Sequence, residues 1–241
     1  MQGAAVGARA AWLASADAVL SVLCMVAQNG HDARGFASLS RAFRGDEQLW
    51  DSIKDRRGMG GRTVLMAAAA QGCLRRVRWL LLRGADVNAA EAASGMTALL
   101  WACRRGAAGV VRELLAHGAD AHAVSTGATA AVCTSLMTAC EAGHLEVARE
   151  LLGRGVSVQA PPVAQGQHTS KGPLHLACES GSVELVRELL AKGADASYGL
   201  SGDGWTCAMT ALQNGRADIA GLLYEHGATP PDEIWMEHFM K

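Results

Sequence analysis

The sequence predicts an all-α solenoid of stacked helix-turn-helix units with extended turns between them. Three observations predict it. Five times a glycine is followed twelve residues later by a second one: Gly72/Gly84, Gly106/Gly118, Gly143/Gly155, Gly181/Gly193 and Gly215/Gly227. Between the members of each pair, apolar residues recur at i, i+3 and i+4, as in Val111, Leu114 and Leu115 or Val186, Leu189 and Leu190, which is a one-sided helical stripe. The first glycines stand 34, 37, 38 and 34 residues apart. Recurrence at such a period is the signature of a stacked array. An array presents an extended surface where a compact enzyme would present an enclosed pocket.

Each unit opens with a short apolar helix. These run from Thr63 through Val64-Leu65-Met66, Thr97 through Ala98-Leu99-Leu100, Thr134 through Ser135-Leu136-Met137, Gly172 through Pro173-Leu174-His175, and Thr206 through Cys207-Ala208-Met209. Threonine caps a helix by accepting a bond from an orphan backbone N–H. Gly172 has no side chain to do so, which leaves the fourth cap unsupplied. Alanines along these helices allow close approach of a neighbour. The first glycine ends the helix in the left-handed conformation, and the second glycine ends the second helix in the same way.

The segments Pro173-Leu174-His175-Leu176-Ala177, Gly143-His144-Leu145-Glu146-Val147-Ala148 and Gly84-Ala85-Asp86-Val87-Asn88-Ala89 resemble the ankyrin repeat family. The resemblance covers residues 58–229 in five repeats, at about 58–90, 91–124, 125–160, 161–196 and 197–229. One repeat keeps Pro-Leu-His; Met66, Leu100, Met137 and Met209 stand where the other histidines would be. The resemblance implies a non-enzymatic protein-interaction scaffold.

Two ends lie outside the repeats. Residues 1–57 are expected to form a helical N-terminal cap. Within them, Asp17-Ala18-Val19-Leu20-Ser21-Val22-Leu23, Leu39-Ser40-Arg41-Ala42-Phe43-Arg44 and Leu49-Trp50 are similar in order to an F-box, over residues 17–53. That resemblance implies the alternative function, a substrate receptor of a cullin-type ubiquitin ligase. Residues 230–241 open with two prolines and are expected to form a C-terminal capping helix, with Trp235, Phe239 and Met240 folding back on the last repeat.

Composition narrows the function. Half of the 241 residues are hydrophobic, 19% are charged and the formal net charge is −1. This disfavours nucleic-acid binding, which needs a concentrated basic face. The apolar stretch of residues 10–27 is broken by Asp17, unlike a secretory signal, and no membrane span is expected. Cys103, Cys140 and Cys178 recur at one repeat position. Equivalent sites on packed helices lie about 8–10 Å apart, whereas a zinc ligand sulfur sits about 2.3 Å from its metal. These cysteines therefore read as small core residues. No cofactor is expected. Free thiols point to a reducing, cytoplasmic setting, with the nucleus as the other compartment. His144 and His175 fall at structural family positions, while His117 and His226 sit where they complement a helix dipole.

In the ankyrin family, partners usually meet the turns between repeats and the exposed side of the first helices. Carried over, the candidate partner-binding residues are Arg62, Met96, Lys171 and Trp205, which precede the first helices. Arg104, Arg105, Glu141, Glu179, Gln213 and Asn214, near the ends of those helices, complete the set. Arginines dominate early in the chain and glutamates later, which suits a partner with acidic groups facing the first half. Trp205 is the leading single candidate, with packing on Tyr198 as the other reading. Trp79 and Trp101 read as packing residues inside the stack. The long connections 121–133 and 158–171 are further candidates. The expected partner is an unidentified protein bound by a monomeric chain.

Overall fold

The computed structural model describes residues 61–126, 132–159, 171–199 and 205–230. The N-terminal segment with its F-box-like stretch, residues 231–241 of the C-terminal segment, and the middles of both long connections lie outside these residues. The chain divides into two compact halves, Met1–Asp120 and Ala121–Lys241, each taken by itself.

The described residues of the first half hold two repeats. These are the pairs α1 (Val64–Ala70) with α2 (Leu74–Leu82), and α3 (Ala98–Arg105) with α4 (Ala108–Ala116). The first helices α1 and α3 pack on one another, and so do the second helices α2 and α4. The core between the two layers is aliphatic: Leu65, Leu80, Leu99, Leu100 and Leu114 are all at most 1% exposed. Each such leucine stabilises the fold by about 1.5–3 kcal/mol relative to an exposed one.

The second half begins with a two-stranded hairpin, β1 (Val124–Thr126) and β2 (Val132–Thr134), in antiparallel register with Val124 opposite Thr134. Three helix pairs follow: α5 (Ser135–Glu141) with α6 (Leu145–Leu152), α7 (Pro173–Ser180) with α8 (Val183–Ala191), and α9 (Cys207–Gln213) with α10 (Ala217–Glu225). Helix α7 packs between α5 and α9, and α8 between α6 and α10. Leu136, Leu151, Leu174 and Leu185 fill this core. The hairpin is an addition to the all-α expectation. It completes a turn that elsewhere among the described residues shows single bridges, Ala90 to Thr97 and Gly199 to Thr206. The Ser135 hydroxyl ties its base to the Ala121 carbonyl at 2.6 Å.

Local chemistry explains the helix ends. Thr63, Thr97, Thr134 and Thr206 each accept a bond from the N3 amide of the following helix. Gly172 makes no such bond, and Pro173 at the first helical position substitutes a fixed φ for it. Both glycines of all five pairs have positive φ, between 69° and 92°. A Cβ there would face the left-handed penalty of about 1–2 kcal/mol.

Neighbouring repeats are joined by an amide ladder. Asn88 donates from Nδ2 to the Gly118 carbonyl at 3.0 Å, and its Oδ1 accepts from the Asp120 amide at 2.9 Å. In the second half Gln159 occupies the matching place and donates to the Gly193 carbonyl at 3.0 Å. Arg78–Glu113 and Arg149–Glu188 add ion pairs between successive second helices, at 2.8 and 3.1 Å. These are exposed pairs and contribute little.

A first prediction follows from the caps. Thr97→Ala removes the bond to the Leu100 amide and is expected to cost about 1 kcal/mol. Urea unfolding followed by circular dichroism reads this directly; an unchanged midpoint would show that the bond carries no free energy.

Candidate protein-interaction surface

In the first half, two of the candidate residues, Arg62 and Arg104, approach one indole. Arg62 lies just ahead of α1, and its guanidinium sits 3.9 Å from the ring centre of Trp101 on α3. Its Nε donates to Glu91 at 3.3 Å. Glu91 is buried in the turn before α3, where it also accepts from the Ser94 hydroxyl. Met96 closes that turn, its carbonyl accepting from the Glu91 amide and its own amide donating to Ser94 Oγ at 3.2 Å. Arg104 approaches the same ring at 5.7 Å. Arg105 follows it, and both arginines are exposed in the last turn of α3. There they complement the negative end of the helix dipole. Trp101, expected inside the stack, is only half-buried, because it belongs to the outer face of α3. Its Nε1 is buried without an acceptor among the described residues. Trp79, also expected inside the stack, is likewise half-buried, with Arg83 5.3 Å from its ring.

In the second half the turn residues fold down onto their own helices. Lys171 pairs with Glu179 across the length of α7. Trp205 donates from Nε1 to Thr210 Oγ1 at 2.8 Å and is half-buried, so the indole bonds one turn into α9. Cys133 makes the matching approach to Thr138 at 3.3 Å. Glu141, Gln213 and Asn214 stay exposed at the ends of α5 and α9. The helix ends lie side by side: a Cβ on Gly143, after α5, would meet Ser180 at the end of α7 at 3.6 Å.

Beneath Trp205 runs a buried polar chain. Thr210 Oγ1 lies 2.8 Å from His175 Nε2, and His175 Nδ1 lies 3.3 Å from Cys207 Sγ. Cys207 donates in turn to the Tyr198 carbonyl at 3.6 Å. A hydrogen bond from Cys178 pulls the Cys207 thiol down to about 6 against the effect of burial, with further help from His175. Cys178 is pushed up by the same bond and by its own burial. Burial likewise raises Cys140. Cys103, Cys140 and Cys178 are fully buried, as small core residues should be. His117 and His226 donate from Nδ1 to the carbonyls of Glu113 and Leu222, both at 2.9 Å, at the C-terminal ends of α4 and α10.

Among the described residues no cluster of histidine, cysteine and carboxylate could hold a metal, and no helix is long and apolar enough to cross a membrane. A recess lined by Val158, Pro173, Leu174 and Tyr198 encloses about 10 Å3, room for roughly one water. Sequence reasoning missed Glu91 and Ser94, which position Arg62. The available signal was a lone carboxylate in an otherwise small-residue turn, 29 residues after the arginine it binds.

A family model described as ankyrin repeats (3 copies) matches residues 12–125, 65–162 and 136–233. No curated protein matches the chain. The matched residues, the paired left-handed glycines and the threonine-capped first helices agree, and the chain belongs to the ankyrin repeat family.

Proposed function

We propose that the chain is a non-enzymatic scaffold that binds a protein partner through its inter-repeat turns and the exposed face of its first helices. The observation that carries this reading is the division of labour along those helices. Their inner faces are fully buried, while Arg104, Arg105, Glu141, Gln213 and Asn214 at their ends are exposed and absent from the core. The turn positions Arg62, Lys171 and Trp205 are engaged within the chain, so the helix ends carry more of the contact than the turns. Residues 58–229 form the repeat domain in this reading, with 1–57 and 230–241 as helical caps. The first family match begins at residue 12 and so takes in part of the segment that this reading makes a cap. The cytoplasm or nucleus is the proposed setting.

Affinity capture with the full chain tests the proposal. Wild type is compared with a combined Arg104→Glu, Arg105→Glu, Trp205→Ala variant, after circular dichroism has shown both to be folded. The expected result is loss of a defined partner from the variant. A folded variant that keeps every partner of the wild type shows that the face is wrongly placed.

A further inference from the structure

We infer that the Trp101 face of the first two repeats is a docking site for a short carboxylate-rich peptide segment of the partner. The inference rests on the scaffold reading above and names the chemistry of its ligand.

Charge balance is the first argument. Residues 61–120 contain eight arginines against four carboxylates, whereas the described residues of the second half contain six cations against nine carboxylates. The surplus is local: neither α1 nor α3 carries a single acidic residue. Two of the four carboxylates are already committed, Glu91 to Arg62 and Glu113 to Arg78.

Geometry is the second. Trp101, Arg104 and Arg105 fall at i, i+3 and i+4 on one face of α3. Arg62 reaches the same ring from the preceding repeat. Its side chain is 36% exposed, and its Nε bond to buried Glu91 fixes the plane of the guanidinium. Among the described residues its terminal nitrogens make no hydrogen bond. Arg62 and Arg104 both approach one ring, and Arg105 adds a third exposed positive charge at the same end of α3. A pre-set guanidinium edge suits a carboxylate, which accepts two parallel N–H bonds. The entropy of fixing Arg62 is met within the fold, so less is lost on binding.

Size decides between ligands. Helix α3 has eight residues, or about 12 Å. That matches three or four residues of extended peptide at about 3.3 Å each. A long polyanion such as nucleic acid would run beyond this length, and the oligothymidine control below tests it.

The test uses the full chain and a fluorescein-labelled peptide of alternating glutamate and glycine, read by anisotropy. The lysine–glycine peptide and an oligothymidine serve as controls. The glutamate peptide should bind, and weaken as salt shortens the screening length. Arg105→Glu and Arg62→Gln should each weaken it about tenfold, the loss of one charge-assisted bond. Arg187→Glu, an exposed arginine on α8, should leave it unchanged. Arg105 is exposed and outside the core, so its replacement leaves folding intact even if Arg62→Gln disturbs the turn. Equal binding by Arg105→Glu, equal binding of the lysine peptide, or tighter binding of oligothymidine overturns the inference. No binding of the glutamate peptide also overturns it. If the chain then still captures a partner, the scaffold reading stands alone; if capture also fails, both fall.

Discussion

His175→Ala is expected to cost about 3 kcal/mol of stability, well above the ordinary cost of a point substitution. The imidazole is 1% exposed and bridges two repeats, with α9 supplying both of its partners. Its removal leaves the Thr210 hydroxyl and the Cys207 thiol buried with one partner fewer each. Thr210 keeps its bond from Trp205 and Cys207 its bond to the Tyr198 carbonyl, so two hydrogen bonds are lost at about 0.5–1.5 kcal/mol each, and the vacated volume adds to this. Two variants separate these causes. His175→Met restores volume with the residue found at the matching position in three other repeats, Met66, Met137 and Met209, but restores no hydrogen bond. If His175→Met is as damaging as His175→Ala, the polar chain is responsible. Urea unfolding followed by circular dichroism gives the stability. A loss below about 1 kcal/mol for His175→Ala would refute the bridging role.

Leu151→Ala is expected to cost about 3–5 kcal/mol. Leu151 is fully buried on α6, the second helix of the third repeat, and α6 packs on both α5 and α8. Stability in a stacked array is a sum of repeat terms and nearest-neighbour terms. A hole here weakens the third repeat itself and its joint to the fourth. The unfolding transition should therefore broaden as well as move, because the two sides of the lesion lose their coupling. A sharp transition at the wild-type midpoint would show that the site collapses without loss, contrary to the packing described.

What the sequence shows plainly is what local chemistry determines. A glycine in the left-handed conformation and a threonine capping three residues ahead depend on a handful of neighbours, so all ten paired glycines and all four threonine caps stand as expected. The missing cap at Gly172 was equally readable. Features set by pairing across a repeat were not. The β1–β2 hairpin depends on two segments of the third repeat's long connection finding a common register. Glu91 becomes meaningful only when the fold brings Arg62 against it. Trp101 illustrates the general difficulty: a tryptophan at helical spacing reads as core, and only the packing of α1 on α3 shows that its ring lies on the outer face, with a guanidinium over it. Trp205 was readable as a turn residue, but its bond to Thr210 depends on the first turn of α9.

The amide at Asn88 performs two opposite tasks at once, donating a hydrogen bond to the Gly118 carbonyl and accepting one from the Asp120 amide. The carboxamide can do both because it carries a donor and an acceptor on the same carbon. Asparagine is also among the chemically least durable residues, since its amide hydrolyses slowly to a carboxylate. Aspartate could still accept from Asp120 but would turn a negative oxygen toward the Gly118 carbonyl. The joint between the first two repeats therefore carries its own clock: in an ageing molecule, chemistry at a single nitrogen would convert an attraction between neighbours into a repulsion.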